Sequence, residues 1–334
     1  MRVLAAVDKF RGTATAHEVA RAIADACWTT GHECIELPMA DGGEGTLAAL
    51  GGANRTLQVQ GPLGAPVEAA WRFHRGTAVI EMALASGLQL IGGAEHNDVI
   101  AASTIGTGQL IDAALNLGAD RIIVCLGGSA TTDGGLGAVQ AITVPARLKR
   151  VEFLVACDVT TNFLDAAEIF AAQKGATATQ IKFLTTRLAG TADLYRQRFN
   201  VDVTRVAGGG AAGGLAGGLF ALGATLLPGF DIVAEEVGLD EAIESCDVII
   251  TGEGRLDGTS FDGKVVGSIA ALGKQQRKTV HAVCGDVHAS AQTHLKRLSV
   301  SATSLRETFG DDGFTATTRC VEQAAAQWLA AREA

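Results

Sequence analysis

Aromatic side chains are scarce in this chain, at 5% of its 334 residues, and acidic residues outnumber basic ones by 36 to 27. Proteins that bind nucleic acid stack bases on aromatic rings or neutralise phosphates with lysine and arginine. The formal net charge here is −9. We therefore expect no nucleic-acid partner, while ATP remains a candidate ligand because its binding depends on local charge.

The chain also lacks the patterns of a metal site, a secreted domain or a membrane span. The seven histidines form no HExxH and the seven cysteines no CxxC, so the cysteines are interpreted as free thiols in a reducing compartment. Asp8 interrupts the first apolar run, which argues against a signal peptide. The long uncharged stretch 206–230 holds nine glycines and Pro228. We expect a cytoplasmic protein without a membrane partner.

Several nucleotide-binding and catalytic signatures are missing as well. No G-x-G-x-x-G follows the first strand, which argues against a nicotinamide-dependent oxidoreductase. No G-x-S-x-G is present, so the nucleophile elbow of the α/β-hydrolases is missing too. The stretch Gly258–Val265 approaches a Walker A loop, but Val265 stands where serine or threonine would bind Mg²⁺.

Strand and helix patterns alternate at both ends of the chain. Arg2–Val7 predicts a strand, and 16–28 predicts a helix with a capping box formed by Thr15 and Glu18. The segment 55–82 instead predicts an antiparallel meander. We expect an α/β fold: a Rossmann-like, doubly wound parallel-sheet domain at 1–60 plus 231–334, with a second α/β domain inserted at 61–230. A small-molecule site is expected in the cleft between domains.

The most informative stretch is 126–135, which places four glycines, three hydroxyls and Asp133 directly after an apolar strand. Glycines at a strand end let backbone amides approach an anion. Asp133 would repel a phosphate unless Mg²⁺ lies between them or the carboxylate takes a proton from a hydroxyl. A tight surface turn is the plain alternative.

Acidic residues also recur at strand ends, next to glycine in most cases. In open α/β sheets, ligands bind beyond the carboxyl ends of the strands. Phosphoryl transfer needs carboxylates, a phosphate cradle and positive charge. The pattern therefore favours phosphoryl transfer, although each acid alone could be a turn former. These acids are Asp8, Asp41, Asp133, Asp158, Glu253 and Asp286.

Six sequence blocks, in order, resemble those of the class I glycerate kinases, which make 2-phosphoglycerate from ATP and D-glycerate. They are Asp8–Thr13, Leu37–Thr46, Gly127–Gly135, Ala156–Val159, Gln173–Ala176 and Thr251–Asp257. The first block departs from the family, with Lys9 in place of serine and Arg11 in place of lysine. The segment between Ile142 and Val151 is also shorter than the resemblance leads us to expect.

The resemblance, together with residue chemistry, implies a site with ATP and Mg²⁺ as cofactors and glycerate as substrate. Asp41 or Asp8 would orient or deprotonate the accepting hydroxyl, and Lys264 would neutralise negative charge on the phosphoryl group being transferred. Arg11, Arg255 and Glu253 would bind glycerate, with an arginine fork on its carboxylate. The nucleotide phosphates would meet Gly127, Gly128, Ser129, Thr131, Asp133, Gly134 and Lys174, and Asp133 and Asp158 would hold the metal.

Other interpretations stay open at this point. A non-catalytic sensor of a hydroxy acid or nucleotide would explain the altered first block, and a Rossmann oxidoreductase is a third class. Arg255 could pair with Asp257 at the surface, and Lys264 could be a solvated helix residue. A homo-oligomer is compatible with the sequence, which fixes neither the oligomeric state nor the phosphorylated carbon.

Overall fold

The computed structural model describes residues 1–333, in which strands and helices alternate along most of the chain. The strands are β1 (Arg2–Val7), β2 (Glu33–Pro38), β3 (Arg55–Gln60), β4 (Pro66–His74), β5 (Thr77–Glu81), β6 (Arg121–Cys125), β7 (Glu152–Ala156), β8 (Thr225–Leu227), β9 (Val248–Leu256), β10 (Thr279–Val287) and β11 (Ser301–Ser304). The helices are α1 (Ala16–Thr29), α2 (Thr46–Ala49), α3 (Ala83–Ser86), α4 (Ile105–Asn116), α5 (Leu136–Ala141), α6 (Ala166–Phe170), α7 (Ala178–Phe199), α8 (Ala211–Ala221), α9 (Gly229–Val237), α10 (Leu239–Ser245), α11 (Val265–Gln275), α12 (Gln292–Leu298), α13 (Leu305–Phe309), α14 (Asp312–Thr315) and α15 (Thr317–Glu333).

The first of two structural units combines Met1–Asp41 with the chain from Phe230 to its described end. Its sheet has the order β11-β10-β9-β1-β2, and all four strand pairings are parallel. Successive strands move one way from β1 to β2 and the other way from β9 to β11. The direction therefore reverses between β1 and β9, and ligands of open α/β sheets bind at such a switch point.

Strand β1 is almost continuously apolar because both of its faces are buried. Val3, Ala5 and Val7 belong to a core that includes residues of α1 and α15, and the intervening Leu4 is also fully buried. Helix α1 begins with the predicted capping box: the Thr15 hydroxyl accepts from the Glu18 amide, and the Glu18 carboxylate accepts from the Thr15 amide.

The second unit spans Gly42–Gly229 and contains the sheet β3-β4-β5-β6-β7-β8. The first two pairings are antiparallel and the last three are parallel, so the predicted meander leads into a parallel α/β sheet. The core packs the inner faces of β6 and β7 against α4, α7 and α8. The expected α/β fold with parallel sheets is confirmed.

The boundary between the units lies earlier in the chain than the sequence indicates. We expect a break after residue 60, but the second unit begins at Gly42. The physical reason is β3, which pairs with β4 over Arg55–Gln60 and so belongs to the second sheet. The later boundary falls after Gly229, against the expected 230.

The glycine-rich segment before β8 is not one continuous helix. Helix α8 is interrupted at Ala212, Gly213 and Gly214, all of which adopt left-handed backbone angles. Within residues 1–333, no helix combines the length and the apolar character needed to cross a bilayer. All seven cysteines are free thiols, five of them buried.

Candidate active site

Two carboxylates lie at the switch point of the first sheet, one beyond β1 and one on the late part of β9. Asp8 directly follows β1, and Glu253 faces the same edge from β9. The pKa of Asp8 is raised to about 6, mainly by burial and also by the nearby Asp41 charge, while Lys9 and Lys264 act in the opposite direction. A buried acid with such a pKa exchanges its proton near neutral pH.

The pKa of Glu253 is raised as well. Its pKa is raised to about 7, mainly by burial and also by the charges of Asp8 and Asp257, while a hydrogen bond from Ser260 and the charge of Lys264 act in the opposite direction. Its Oε1 atom is buried and has no hydrogen-bond partner among the described residues. A carboxylate that is costly to ionise and only partly satisfied is suited to accepting a proton.

The cationic residues predicted for the substrate lie beside these acids in the first unit. Arg255 is exposed two positions beyond Glu253, in register with Asp286 of β10. A Cβ built on Gly254 would lie 3.2 Å from the backbone nitrogen of Arg11, so the turn after β1 packs directly on β9. That close approach favours glycine at position 254, and it brings Arg11 to the same strand ends.

Lys264 occupies the N-cap position of α11, where its side chain makes no capping hydrogen bond. The partial positive charge of a helix N-terminus adds to that of the ammonium group. Because its charge acts on Asp8 and Glu253, Lys264 lies within electrostatic reach of both carboxylates. The first unit thus gathers Asp8, Asp41, Glu253 and Lys264 into one electrostatically coupled group.

In the second unit, the glycine-rich loop between β6 and α5 is held against the end of α3 and the segment that follows it. The Leu88 amide donates to Gly128 O at 2.8 Å, and the Ala130 amide donates to Ser86 O at 3.0 Å. Gly128 has a φ of +62° and Gly134 one of +68°, angles that favour glycine.

A cavity of about 300 Å³ opens on this loop within the second unit. Gly127, Gly128 and Ser129 line one side, and Asp158 and Lys174 are also at its wall. The remaining wall is largely apolar and comes from Leu88, Leu126, Cys157, Val159, Phe170, Gln173, Ala211 and Ala212. The cavity therefore combines glycine backbone, one cation and one carboxylate in an apolar setting.

Lys174 is the buried cation of this cavity, with only 3% of its surface exposed. Its Nζ atom donates to Thr131 O at 2.6 Å. Burial lowers the pKa of Lys174 to about 7, and the Asp133 charge only partly offsets this effect. A buried ammonium that contacts no carboxylate among the described residues is favourable for binding an anion that supplies the missing charge.

Asp133 does not have the position that the sequence suggests. One oxygen, Oδ2, accepts from the Thr104 amide and hydroxyl at 2.9 and 2.8 Å and from the Gly137 amide at 3.2 Å, while Oδ1 accepts from the Gly135 amide at 3.0 Å. These donors belong to the protein and occupy both oxygens. Asp133 is therefore a structural anchor of the loop, and its expected contact with metal or phosphate is not supported.

Two further predicted phosphate ligands are also turned away from the cavity. Thr131 is fully buried, and Gly134 packs against Phe163 and Leu188. Among the described residues, neither belongs to the cavity wall. Asp158 does, and its Oδ1 accepts from the Gly229 amide at 2.8 Å.

Sequence reasoning missed the side chains that hold the loop from behind. Arg187 donates to Thr132 O at 2.7 Å, and Tyr195 donates to Gly134 O at 2.9 Å. Both lie on α7, at a spacing of eight residues that places them on one helix face. Arg187 is one of three arginines on this helix and Tyr195 is the chain's one tyrosine, and neither carries a local sequence signal of this role.

No group of three or more potential metal-ligating side chains occurs within residues 1–333. At the cavity wall, Asp158 is the one carboxylate that the described residues supply. Mg²⁺ often binds through one or two carboxylates with substrate phosphates and water completing its shell. The arrangement fits a metal that arrives with a nucleotide and does not fit a resident metal centre.

Comparisons with known proteins agree on one family. The model of the glycerate kinase family matches residues 3–146 and 142–331. The chain is 38% identical to glycerate 2-kinase of Escherichia coli K12, with 86% of each chain covered, and 36% identical to glycerate kinase of Halalkalibacterium halodurans, with 85% of each covered. A crystal structure assigned to glycerate kinase 2 of Salmonella typhimurium LT2 superposes with a TM-score of 0.85 at 33% identity, covering 100% of this chain and 98% of that one.

Proposed function

The chain belongs to the glycerate kinase family, and on that premise we propose that it transfers the γ-phosphoryl group of ATP to the 2-hydroxyl group of D-glycerate. The observation that carries the proposal is the buried Lys174 ammonium in a cavity lined by Gly127, Gly128 and Ser129. Phosphoryl transfer depends on positioning and on charge stabilisation, and this cavity offers both to a polyphosphate.

On the donor side, backbone groups of Gly127 and Gly128 and the Ser129 hydroxyl would contact phosphate oxygens. The buried Lys174 would supply positive charge, which is stronger there than in water because the surroundings are apolar. Asp158 would hold Mg²⁺ that is bound to the nucleotide. When bound, Mg²⁺ neutralises the charge of the phosphate oxygens.

On the acceptor side, the exposed Arg255 and Arg11 would bind the glycerate carboxylate, which a guanidinium fork matches with two hydrogen bonds. Asp41 would orient the hydroxyl group. Asp8 or Glu253 would take its proton, since the raised pKa of each lies near working pH. A bond forms between the hydroxyl oxygen and the γ-phosphorus, the bond from that phosphorus to ADP breaks, and the proton moves to the carboxylate.

The position of the new phosphate is proposed from the relative in Escherichia coli, which is named as a 2-kinase. Phosphorus NMR of the product tests it directly. A phosphate on C2 couples to one carbon-bound hydrogen and gives a doublet, whereas a phosphate on C3 couples to two and gives a triplet. A triplet would overturn the assignment to C2 and leave the kinase activity intact.

The kinase activity itself is tested by glycerate-dependent release of ADP from MgATP, measured for both enantiomers of glycerate. The Asp41→Asn variant should lower kcat by about 100-fold or more if Asp41 acts on the hydroxyl. Asp240→Asn, at an exposed position of α10, is the matched control. Full activity of folded Asp41→Asn would remove Asp41 from the chemistry, and nucleotide binding without any turnover would favour a sensor.

A further inference from the structure

One face of helix α7 is directed at the back of the glycine-rich loop. Arg187 donates from Nη2 to Thr132 O at 2.7 Å and from Nη1 to Ile100 O at 2.6 Å. Eight residues later, the Tyr195 hydroxyl donates to Gly134 O at 2.9 Å. A single guanidinium thus joins the loop to the separate segment that contains Ile100.

The neighbouring carbonyl of the loop has its own cationic donor, because Lys174 Nζ lies 2.6 Å from Thr131 O. Three backbone carbonyls within four residues are therefore bonded to side chains that come from outside the loop. The Asp133 carboxylate, whose oxygens hold the amides at the start of α5, interacts electrostatically with Lys174 and Arg187. The charges that hold the loop belong to the protein itself.

From this arrangement we infer that Arg187 is a positioning residue for the phosphoryl donor, acting through the Thr132 carbonyl on the loop that lines the cavity. The inference rests on the proposed function, in which Gly127, Gly128 and Ser129 contact phosphate. An anion needs N–H groups turned toward it and carbonyl oxygens turned away. Bonds to Thr131 O and Thr132 O hold those peptides in one orientation before nucleotide arrives, so binding requires less ordering of the loop.

The chemistry of arginine is specific to this task. The planar guanidinium reaches two carbonyls in fixed directions, whereas an ammonium is a compact point charge on a flexible stem. Lysine at this position would keep the charge and lose the fixed bridge from Ile100 O to Thr132 O. Arg187 Nε is buried with no partner among the described residues, so the two carbonyl bonds carry the anchoring.

The experiment compares Arg187→Met and Arg187→Lys with Arg196→Met in the full-length protein. Arg196 lies on the same helix, is half exposed, and pairs with Asp193 and Asp202 at the surface. Calorimetry gives the Kd of MgADP, steady-state kinetics give KM for ATP, KM for glycerate and kcat, and thermal unfolding reports on stability.

We expect Arg187→Met to raise the Kd of MgADP and the KM of ATP about tenfold or more, in keeping with the loss of charged hydrogen bonds. KM for glycerate should stay within about twofold of wild type, and Arg187→Lys should recover part of the loss. Arg196→Met should match wild type in every nucleotide parameter.

Other results would overturn the inference. One is that Arg187→Met and Arg196→Met have the same Kd for MgADP and the same KM for ATP. Another is that Arg187→Met lowers the unfolding temperature and changes kcat and both KM values to the same extent, which is the result of a general loss of structure. If wild-type protein fails to bind MgADP, the proposed donor site falls, and the role of Arg187 falls with it. The wild-type titration separates that failure from a failure of Arg187 alone.

Discussion

Binding of nucleotide should draw a proton from solution onto Lys174. This lysine is 3% exposed, and burial lowers its pKa to about 7. A polyphosphate in the cavity would bring negative charge to the ammonium and move its pKa back toward 10.5. Of the charged groups around it, Asp133 raises the pKa from the loop side, and Asp158 lines the same cavity.

The size of the effect follows from the pKa. At pH 7 about half of the Lys174 side chains in the free protein carry the proton, and at pH 8 about one tenth do. Binding should therefore take up roughly 0.5 proton at pH 7 and roughly 0.9 at pH 8. Nucleotide affinity should fall about fivefold from pH 7 to pH 8 and about tenfold more by pH 9.

Calorimetry measures this uptake when MgADP is titrated in two buffers with different heats of ionisation. Measurements at pH 8 and 9 avoid protonation of the nucleotide itself. The Lys174→Met variant should bind more weakly and with no buffer-dependent heat, and Lys182→Met, at an exposed position of α7, serves as the control. Proton uptake that persists in Lys174→Met, or a wild-type affinity that stays flat from pH 7 to 9, would refute the reasoning.

Further predictions concern stability and pH. Asp133→Asn should destabilise the fold by roughly 3 kcal/mol in urea unfolding, because its new amide N–H donors would face protein donors; an unchanged midpoint would contradict the anchoring role. Gly213→Ala should lower the free energy of unfolding by about 2 kcal/mol or more, since its Cβ would lie 2.0 Å from Thr131 O at a φ of +68°. Gly190→Ala lies within helix α7 with open space around its Cβ, and it should instead raise the free energy of unfolding by about 0.5–1 kcal/mol. Glu253 has a raised pKa in the folded protein, so the stability that it contributes should fall as the pH rises from about 4.5 to about 7; the Glu253→Gln variant should lose that part of the pH dependence.

Secondary-structure elements that depend on a few adjacent residues, or on one uninterrupted apolar run, can be predicted from the sequence. The apolar run of β1 and the Thr15–Glu18 capping box each depend on a few adjacent residues, and both occur as expected. The strand before the glycine-rich loop was equally clear. The parallel sheet followed from the alternation of such elements.

Strand β9 shows where local signals end. Glycine is a strand breaker in a single sequence, so Gly252 and Gly254 by themselves predict a strand that stops at Thr251. The strand continues to Leu256 because β10 pairs with it in register as far as Val287. A Cβ on Gly252 would lie 2.0 Å from Val283 O, so these glycines serve close backbone packing and carry Glu253 and Arg255 on a regular strand.

The acids at strand ends differ in the hydrogen-bond donors around them, and the sequence does not reveal which donors the fold brings to each. Asp133 meets four hydrogen-bond donors from its own unit, so its charge is satisfied and serves the loop. Glu253 retains a buried oxygen without a partner among the described residues, so its charged form is disfavoured. Both residues stand next to a glycine after an apolar run, and the same local pattern therefore yields an anchor in one case and a candidate base in the other. The difference lies in the hydrogen-bond donors around each carboxylate. The start of helix α5 and Thr104 donate to Asp133, whereas no described neighbour donates to Glu253 Oε1.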